Sequence, residues 1–235
     1  MRSSARCLGA MRDATVSVMG RVTSRRRIRI SGRVPLKVNL GSGLTVAPGW
    51  VNLDASLNTI VARLPRAVQR AAYSLSGSCT ERSWGEYLRI LSANDFVFCD
   101  LRRGIPLADG TVDFLFASHI LEHLEREQAS ALAREALRVA KAGAVFRVVV
   151  PDLDRFVAMY QAGERRKAVD GIFSAGALGA LSRHRYMYDE RGLRELLEEA
   201  GFTSIVRRRA GEGLTPDLDV LDTRVDESLY VEARR

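Results

Sequence analysis

The sequence predicts an α/β protein whose parallel strands are covered by helices on both faces. From Val34 onward, short apolar segments alternate with helical ones, and that order produces parallel strands joined by helices. The first apolar segment runs directly into a glycine turn at residues 41–43, and an acid, Asp54, follows the second. Because ligands gather where the strands of such sheets end, these two features also indicate the place of a binding site.

Length and composition indicate one globular domain. The chain has 235 residues, of which 46% are hydrophobic and 27% charged, enough to bury one substantial core. The cysteines Cys7, Cys79 and Cys99 are far apart and lack CxxC spacing, so neither a disulfide framework nor a zinc cluster is expected. No apolar run approaches the roughly 18 residues of a membrane span. We therefore expect a cytoplasmic protein without a transmembrane segment.

The net charge of +8 is concentrated at the start of the chain. Residues 1–33 contain nine Arg and a single acid, Asp13, whereas basic and acidic side chains balance in the remainder. We predict a disordered Arg-rich extension ahead of a domain spanning residues 34–235. An organelle transit peptide or an anion-binding arm would have a similar composition. Since the folded part is neutral, a nucleic-acid partner is not expected.

Short apolar segments bounded by turn residues are predicted as seven strands. They cover residues 36–40, 51–53, 96–99, 114–117, 144–150, 204–209 and 228–233. Helices are predicted over residues 57–73, 125–141 and 190–200. Asp189 and Gly201 suit the two ends of the last helix, and Gly143 is predicted to close the middle one. The sequence of residues 74–95 predicts either a flap over the site or a loop or short helix packed at the sheet edge.

The glycine turn by itself is weak evidence for any one ligand. Gly41 and Gly43 would let a ligand approach the backbone closely. A dinucleotide site would require a third glycine, but that position holds Val46, and Asp54 follows Gly43 after only eleven residues. NAD binding is therefore disfavoured. Asp54 could accept hydrogen bonds from a ribose, or it could cap the following helix.

Five motifs in order resemble one family. They are NLGSG, GWVNLD, CDLRRGIPLADGTVDFLFASHILEHL, LRVAKAGAVFRVVVPD and HRYMYDERGLRELLEEAGF. Across about residues 36–233, they resemble class I S-adenosylmethionine-dependent methyltransferases of the type-eleven kind. The resemblance implies a Rossmann-like sheet of seven strands that is mostly parallel, with the strand at residues 228–233 inserted antiparallel. It also implies S-adenosyl-L-methionine as cofactor.

The resemblance assigns roles to particular residues. Gly41 and Gly43 would flank the methionine part of the cofactor, and Asp54 would hold the ribose hydroxyls. Asp100 would accept from the adenine amino group, with Leu101 beside the ring. The cofactor-binding set implied in this way is Asn39, Gly41, Ser42, Gly43, Asp54, Asp100, Leu101 and Ser118.

His119 is the candidate catalytic base. The resemblance places it with Ser118 beside the methyl group, and a neutral imidazole can take a proton from an acceptor hydroxyl. Alternatively, His119 only packs at the start of the next helix. His123 shares its predicted helical face, but two histidines without a nearby carboxylate or cysteine make a poor metal site, so no metal is expected. His184 either lines the acceptor side or lies in a solvated loop.

Other residues leave alternatives open. Asp152 suits either an acceptor-facing role or the cap of a helix beginning near Leu153. Asn39 stands where the family often has an acid, and Ala142-Gly143-Ala144 replaces its proline-glycine-glycine, so cofactor affinity could be reduced. We expect methyl transfer to a hydroxyl of a small-molecule, saccharide or glycolipid acceptor. The alternative is a cofactor-binding, catalytically silent protein; methylation of nucleic acid through the basic extension is a weaker hypothesis.

Overall fold

The computed structural model describes residues 30, 32–75, 82–173 and 183–235. Nearly all of the Arg-rich extension predicted for residues 1–33 lies outside the described residues. Among those described, no helix combines the length and apolar character needed to cross a membrane.

One sheet of seven strands forms the centre of the protein, as the resemblance implied. The strands are β1 (Lys37–Leu40), β2 (Trp50–Asp54), β3 (Asp95–Phe98), β4 (Val112–Ser118), β5 (Ala140–Pro151), β6 (Thr203–Arg208) and β7 (Ser228–Arg234). Their order across the sheet is β3-β2-β1-β4-β5-β7-β6. Strands β1 to β5 pair in parallel, whereas β7 runs antiparallel to both of its neighbours. The class I methyltransferase architecture predicted from the sequence is therefore confirmed.

The register brings the ends of four parallel strands to one edge. Leu40 of β1 pairs with Leu53 of β2 and with Ala117 of β4, and Asp54 pairs with Phe98 of β3. The residues that directly follow these positions therefore meet at the carboxyl edge, which is where ligands bind in parallel sheets.

Helices cover both faces of the sheet. They are α1 (Asn58–Val61), α2 (Arg66–Leu75), α3 (Trp84–Ala93), α4 (Arg126–Val139), α5 (Leu153–Gln161), α6 (Arg165–Ile172), α7 (Glu190–Ala200) and α8 (Leu218–Leu221). Single turns of 3-10 helix lie at Leu101–Arg103 and Leu121–His123. Helix α4 contributes Leu132, Ala136 and Val139 to the main core, where they lie with buried β-strand residues such as Val148.

The helix predicted over residues 57–73 is two helices. Pro65 separates α1 from α2. Proline lacks a backbone N–H and disfavours helical geometry in the residue before it, here Leu64. The chain consequently turns at residues 62–65 before α2 begins.

The predicted end of the middle helix at Lys141 and its closure by Gly143 are wrong. Helix α4 ends at Val139, and the next residue, Ala140, is already extended and pairs with Val112 as the first residue of β5. Gly143 lies within β5 with φ 78°, and its N–H donates to the carbonyl of Arg235 at 3.0 Å. Pairing with β4 thus overrides continued helix formation.

The ends of helix α7 are confirmed. The Asp189 side chain accepts from the N–H of Gly192 at 2.7 Å, and Gly201 adopts the left-handed conformation at the C-terminus. Leu193, Leu196 and Leu197 are buried and form the face that packs on the sheet.

Helix α3 corresponds to the second predicted arrangement of residues 74–95, a short helix at the sheet edge. Ser83 caps it by accepting from the N–H of Glu86 at 3.2 Å. Its Tyr87 and Leu91 are buried against Phe96 of the edge strand β3. The first part of the predicted flap, residues 76–81, lies outside the described residues.

A buried ion network fixes strand β7 to β5. Arg147 of β5 is fully buried and donates through Nε to Asp222 at 2.9 Å and through Nη1 to Glu232 of β7 at 3.4 Å. Glu232 also accepts from the backbone N–H groups of Leu214 and Thr215 at 3.0 Å each. The charges are therefore paired and hydrogen-bonded, as burial requires.

Candidate functional site

The glycine turn follows β1 directly. Gly41 has φ 68° and donates its N–H to the carbonyl of Leu53 at 2.8 Å, which ties the turn to β2. A Cβ on Gly41 would lie 2.9 Å from the side chain of Ile120, so this position has no room for a side chain. A Cβ on Gly43, with φ 52°, would meet nothing within 4 Å. The turn therefore has a closed side at Gly41 and an open side at Gly43.

The side chain of Asn39 on β1 stabilises the glycine turn. Its side chain is buried, and Nδ2 donates to the carbonyl of Thr45 at 2.9 Å and lies 3.3 Å from Oδ1 of Asn52. The carbonyl of the buried Ser42 accepts from the Thr45 N–H at 2.9 Å. A carboxylate at position 39 could not donate to Thr45, because an ionised acid only accepts. The departure at Asn39 is thus explained by loop closure.

Asp54 at the end of β2 faces the turn. Oδ2 accepts from the Gly43 N–H at 2.8 Å, and Oδ1 accepts from the Ser56 N–H at 2.5 Å. The alternative that Asp54 caps the next helix is wrong, because Leu57 is at the cap of α1 and no side chain bonds there. A carboxylate has about four acceptor positions, so both oxygens retain capacity for further donors. The structure therefore brings Gly41, Gly43 and Asp54 together.

Asp100 follows β3 on the same edge and is 4% exposed. Arg102 binds its carboxylate through Nε at 2.8 Å and Nη2 at 2.9 Å, and Arg103 lies 3.4 Å away. Leu101 begins the 3-10 turn and is buried in the main core. Burial raises the pKa of the neighbouring Cys99 to about 12, with the charges of Asp100 and Asp54 adding to the shift. The Asp100 carboxylate is therefore already engaged by arginine.

His119 follows Ser118, the half-buried last residue of β4. It has φ 52°, a left-handed conformation that non-glycine residues adopt at a cost. Its Nδ1 lies 3.1 Å from Oε1 of Glu122, and its Nε2 lies 3.0 Å from Oγ of Ser228 on β7. Its backbone N–H donates to Val149 at 2.9 Å. The imidazole is therefore held at both nitrogens.

The expectation that no carboxylate lies near the histidines is wrong. The turn at Leu121–His123 is a 3-10 helix, and it buries Glu122 completely. Potential ligand atoms of Glu122, His123 and His184 all lie within 4.8 Å of one another. His123 pairs with the ring of His184, at a centroid distance of 5.2 Å. Sequence spacing could not show this, because His184 is 61 residues further along the chain.

The segment around His184 packs against the same turn. The backbone N–H of Arg185 donates to the carbonyl of Glu122 at 2.7 Å. Burial lowers the pKa of His184 from its ordinary 6.5, opposed by the charge of Glu122. His184 therefore lies in a loop between the exposed Arg183 and Arg185, but its own side chain is half-buried beside Glu122.

Asp152 caps helix α5. Its Oδ1 accepts from the N–H of Asp154 at 3.1 Å, and its Oδ2 lies 3.3 Å from Arg207. The helix begins at Leu153, as the sequence predicted. The geometry accounts for Asp152 as a cap and an ion-pair partner.

Sequence reasoning missed two residues beside His119, Glu122 and Ser228. Glu122 lies between His119 and His123 in the sequence HILEHL, and an acid between two histidines is a pattern that could have indicated its role. Ser228 carries no such signal, because it reaches the site only through the antiparallel insertion of β7.

Comparison with known proteins finds a family match over part of the chain. Residues 66–148 match the family model described as a methyltransferase domain. This interval starts after the glycine turn and Asp54 and includes Asp100, His119 and Glu122. No curated protein sequence matches the chain.

Several solved structures have a similar arrangement. The apo form of the S-adenosylmethionine-dependent methyltransferase SibL is 19% identical, with TM-score 0.49, and the match covers 92% of this chain and 55% of SibL. A possible histamine N-methyltransferase from Thermotoga maritima is 12% identical, with TM-score 0.49, and the match covers 94% of this chain and 91% of that one. An S-adenosylmethionine-dependent methyltransferase from Archaeoglobus fulgidus is 12% identical, with TM-score 0.47, and coverages of 95% and 94%.

Proposed function

We propose that the chain is an S-adenosylmethionine-dependent methyltransferase of the class I fold and that it methylates a hydroxyl of a small-molecule or saccharide acceptor; the family match over residues 66–148 and the topology of the sheet support the first part. The observation that carries the cofactor part of the proposal is the position of Asp54 at the carboxyl edge, where its carboxylate accepts from the Gly43 N–H at 2.8 Å and keeps acceptor capacity.

The residues at this edge fit the cofactor. The space beside Gly43 is open, so a ligand can approach the backbone there. We propose that Asp54 holds the two ribose hydroxyls and that Gly41, Ser42 and Gly43 form the wall beside the methionine part. When bound, S-adenosylmethionine supplies a sulfonium methyl group for in-line displacement. Asn39 acts through the turn by keeping it closed at Thr45.

The adenine end of the proposed site is more constrained. Asp100 would accept from the adenine amino group only by sharing its carboxylate with Arg102, which occupies both oxygens. Leu101, next to it, is 6% exposed and offers an apolar contact for the ring. Ser118 ends β4 beside β1 and would border the methyl group. We therefore expect Arg102 to adjust when cofactor binds.

His119 is our candidate base for a hydroxyl acceptor. Glu122 orients its ring through Nδ1 at 3.1 Å, the kind of support that a carboxylate gives a catalytic imidazole. Ser228 Oγ lies 3.0 Å from Nε2 and 2.9 Å from the carbonyl of Arg224. The hydroxyl has one proton for these two contacts. Acceptor binding would therefore have to displace or redirect Ser228 for Nε2 to take a proton.

The alternative, a protein that binds cofactor without transfer, was motivated by Asn39 and by the sequence around Gly143. Both departures have structural roles here, in closing the glycine turn and in starting β5. Neither removes a side chain from the edge where Asp54 lies. The two departures therefore give no reason to prefer the silent role over transfer.

The test is calorimetric titration of the purified chain with S-adenosylmethionine and with S-adenosylhomocysteine. We expect the dissociation constant to rise at least about 100-fold in Asp54→Ala, because hydrogen bonds to a charged group contribute about 1.5–3 kcal/mol each. Asp54→Asn keeps one acceptor oxygen and should lose less. Glu198→Ala, which removes an exposed carboxylate in the last turn of helix α7 at the opposite edge of the sheet, is the matched control and should bind like the native chain.

Two outcomes would contradict the proposal. If the native chain binds neither ligand, the cofactor assignment is wrong. If it binds both but transfers no methyl group to any member of a panel of saccharide and small-molecule hydroxyls, the silent alternative replaces it. Thermal unfolding of each variant shows whether a lost affinity is only a loss of fold.

A further inference from the structure

We propose that Glu122, His123 and His184 form a binding site for a zinc ion. The three side chains come from two segments that the fold brings together, the 3-10 turn at Leu121–His123 and the segment before helix α7. One potential ligand atom from each residue lies within 4.8 Å of the others. Two imidazoles and one carboxylate are the ligand set of many catalytic zinc sites.

The carboxylate of Glu122 points to a missing partner. Glu122 is fully buried, and its Oε1 lies 3.1 Å from Nδ1 of His119. Its other oxygen, Oε2, is buried without any hydrogen-bond partner in the structure. A buried carboxylate oxygen without a partner is costly, so such an atom calls for an explanation. A cation beside Oε2 would provide one.

Both imidazoles are oriented as metal ligands usually are. Nδ1 of His123 lies 3.2 Å from the carbonyl of Arg183, and Nδ1 of His184 lies 3.1 Å from the carbonyl of Ile172. A carbonyl oxygen only accepts, so each Nδ1 carries a proton, and in the neutral imidazole the lone pair is then on Nε2. Metal-bound histidines typically donate their other ring N–H to a carbonyl or carboxylate in this way.

The two histidines must move toward the carboxylate to bind a common ion. Nε2 of His123 lies 3.9 Å from Oε1 of Glu122, the oxygen that His119 also contacts, and the centroids of the two histidine rings are 5.2 Å apart. Ligand atoms about 2.0–2.1 Å from a tetrahedral zinc ion are roughly 3.4 Å from each other. Both imidazole side chains are only partly buried, so they can approach the fixed Glu122 by changes of side-chain torsion.

Nitrogen ligands set the choice of metal. Magnesium prefers oxygen ligands in an octahedral shell, whereas zinc accepts imidazole nitrogen and carboxylate oxygen in a four-coordinate site. Three protein ligands leave the fourth position for water or another oxygen ligand. If the proposed function holds, a hydroxyl acceptor is the oxygen ligand that this position would bind, since Glu122 also orients His119. That last step rests on the proposed function, but zinc binding does not.

The experiment uses the full chain, treated with a chelator, dialysed and titrated with zinc chloride against a chromophoric zinc indicator. We expect one zinc ion per chain and no displacement of zinc by excess magnesium. Glu122→Gln and His184→Gln should each weaken zinc binding by more than the roughly 10- to 100-fold typical of losing an outer-shell partner. Glu127→Gln, which removes an exposed carboxylate of helix α4, is the charge-matched control and should bind as the native chain does.

A second measurement on the native chain avoids the risk that a variant fails to fold. Cobalt(II) bound in the site should give the visible absorption bands of a four-coordinate ion, and zinc should remove them. Absence of a stoichiometric zinc ion in the native chain would overturn the proposal, and so would undiminished zinc affinity in folded Glu122→Gln and His184→Gln variants. Cofactor titration of the same samples separates this result from a failure of the methyltransferase proposal.

Discussion

The proposed cofactor end and the proposed acceptor end of the candidate site are built in different ways. The cofactor end, formed by Gly41, Gly43 and Asp54, lies within one short stretch of chain, and main-chain N–H groups fix its carboxylate. The acceptor end, formed by His119, Glu122 and Ser228, comes from segments more than 100 residues apart, and side chains fix it. Local sequence thus specifies the first, and tertiary packing specifies the second.

The two ends are nevertheless in contact. Ile120, the residue after His119, lies where a side chain on Gly41 would have to go. A change at the glycine turn can therefore be transmitted to the acceptor end by displacing Ile120. The acceptor end depends in addition on strand β7, which carries Ser228 and is held by Glu232 and the buried Arg147.

The largest expected effect tests this dependence on β7. We expect Glu232→Gln to lower the free energy of unfolding by about 3–5 kcal/mol, because it removes one partner of a buried ion network. Chemical denaturation measures the loss. Hydrogen exchange should increase in β7 before it increases in β1 and β2. An equal increase of hydrogen exchange in β7 and in β1 and β2 would contradict the expected difference between the two ends.

The same residue predicts a dependence on pH. Burial alone would raise the pKa of Glu232, but donors from Leu214 and Thr215 and the charge of Arg147 lower it below the ordinary 4.5. The stability contributed by ionised Glu232 is therefore complete above about pH 4.5 and is lost as the pH falls through the folded-state pKa. Glu232→Gln should show a shallower decline of unfolding free energy with acidification than the native chain.

The next effect separates the closed and open sides of the glycine turn. Gly41→Ala should cost about 2–5 kcal/mol, since it adds a left-handed non-glycine residue and an overlap with Ile120. Gly43→Ala incurs only the backbone strain, about 1–2 kcal/mol, because a Cβ there meets no atom within 4 Å. Gly43→Ala should instead reduce cofactor affinity. Chemical denaturation measures the stability of the two variants, and calorimetry measures their cofactor affinity. Equal losses of stability in Gly41→Ala and Gly43→Ala would contradict the prediction.

The smallest effect concerns Ser228. Ser228→Ala removes the group 3.0 Å from Nε2 of His119 and should cost about 1 kcal/mol of stability. Cofactor affinity should not change, because the serine belongs to the acceptor end. A loss of cofactor binding in this variant, measured by titration, would show that the two ends are not separable.

Much of the fold follows from local patterns. The Asp189 cap and the glycine stop at Gly201 were predicted correctly, because both depend on hydrogen bonds within a few residues. The helix over residues 57–73 was placed correctly as helical but its break at Pro65 was missed. The end of helix α4 was misplaced, since pairing of Ala140 with Val112 is a long-range contact that helix periodicity does not record.

The candidate site shows the same difference between what local sequence predicts and what long-range contacts decide. Asp54 and the glycine turn were predicted to bind one cofactor, and the parallel pairing of β1 with β2 brings them together. Glu122 was not predicted as a partner of His119, and the histidines were expected to lack a carboxylate. A 3-10 turn rather than an α-helix follows β4, and this changes which side chains face one another.

By itself, the sequence determined the alternating architecture, the glycine turn, the acid after the second strand and the resemblance to a methyltransferase family. These features depend on residue order and short-range geometry. Only the tertiary structure decided that Glu122 is buried with an unpartnered oxygen, that His184 lies beside it, and that Ser228 reaches His119. Such contacts arise from strand order and packing between distant segments, which pairwise spacing along a chain does not encode.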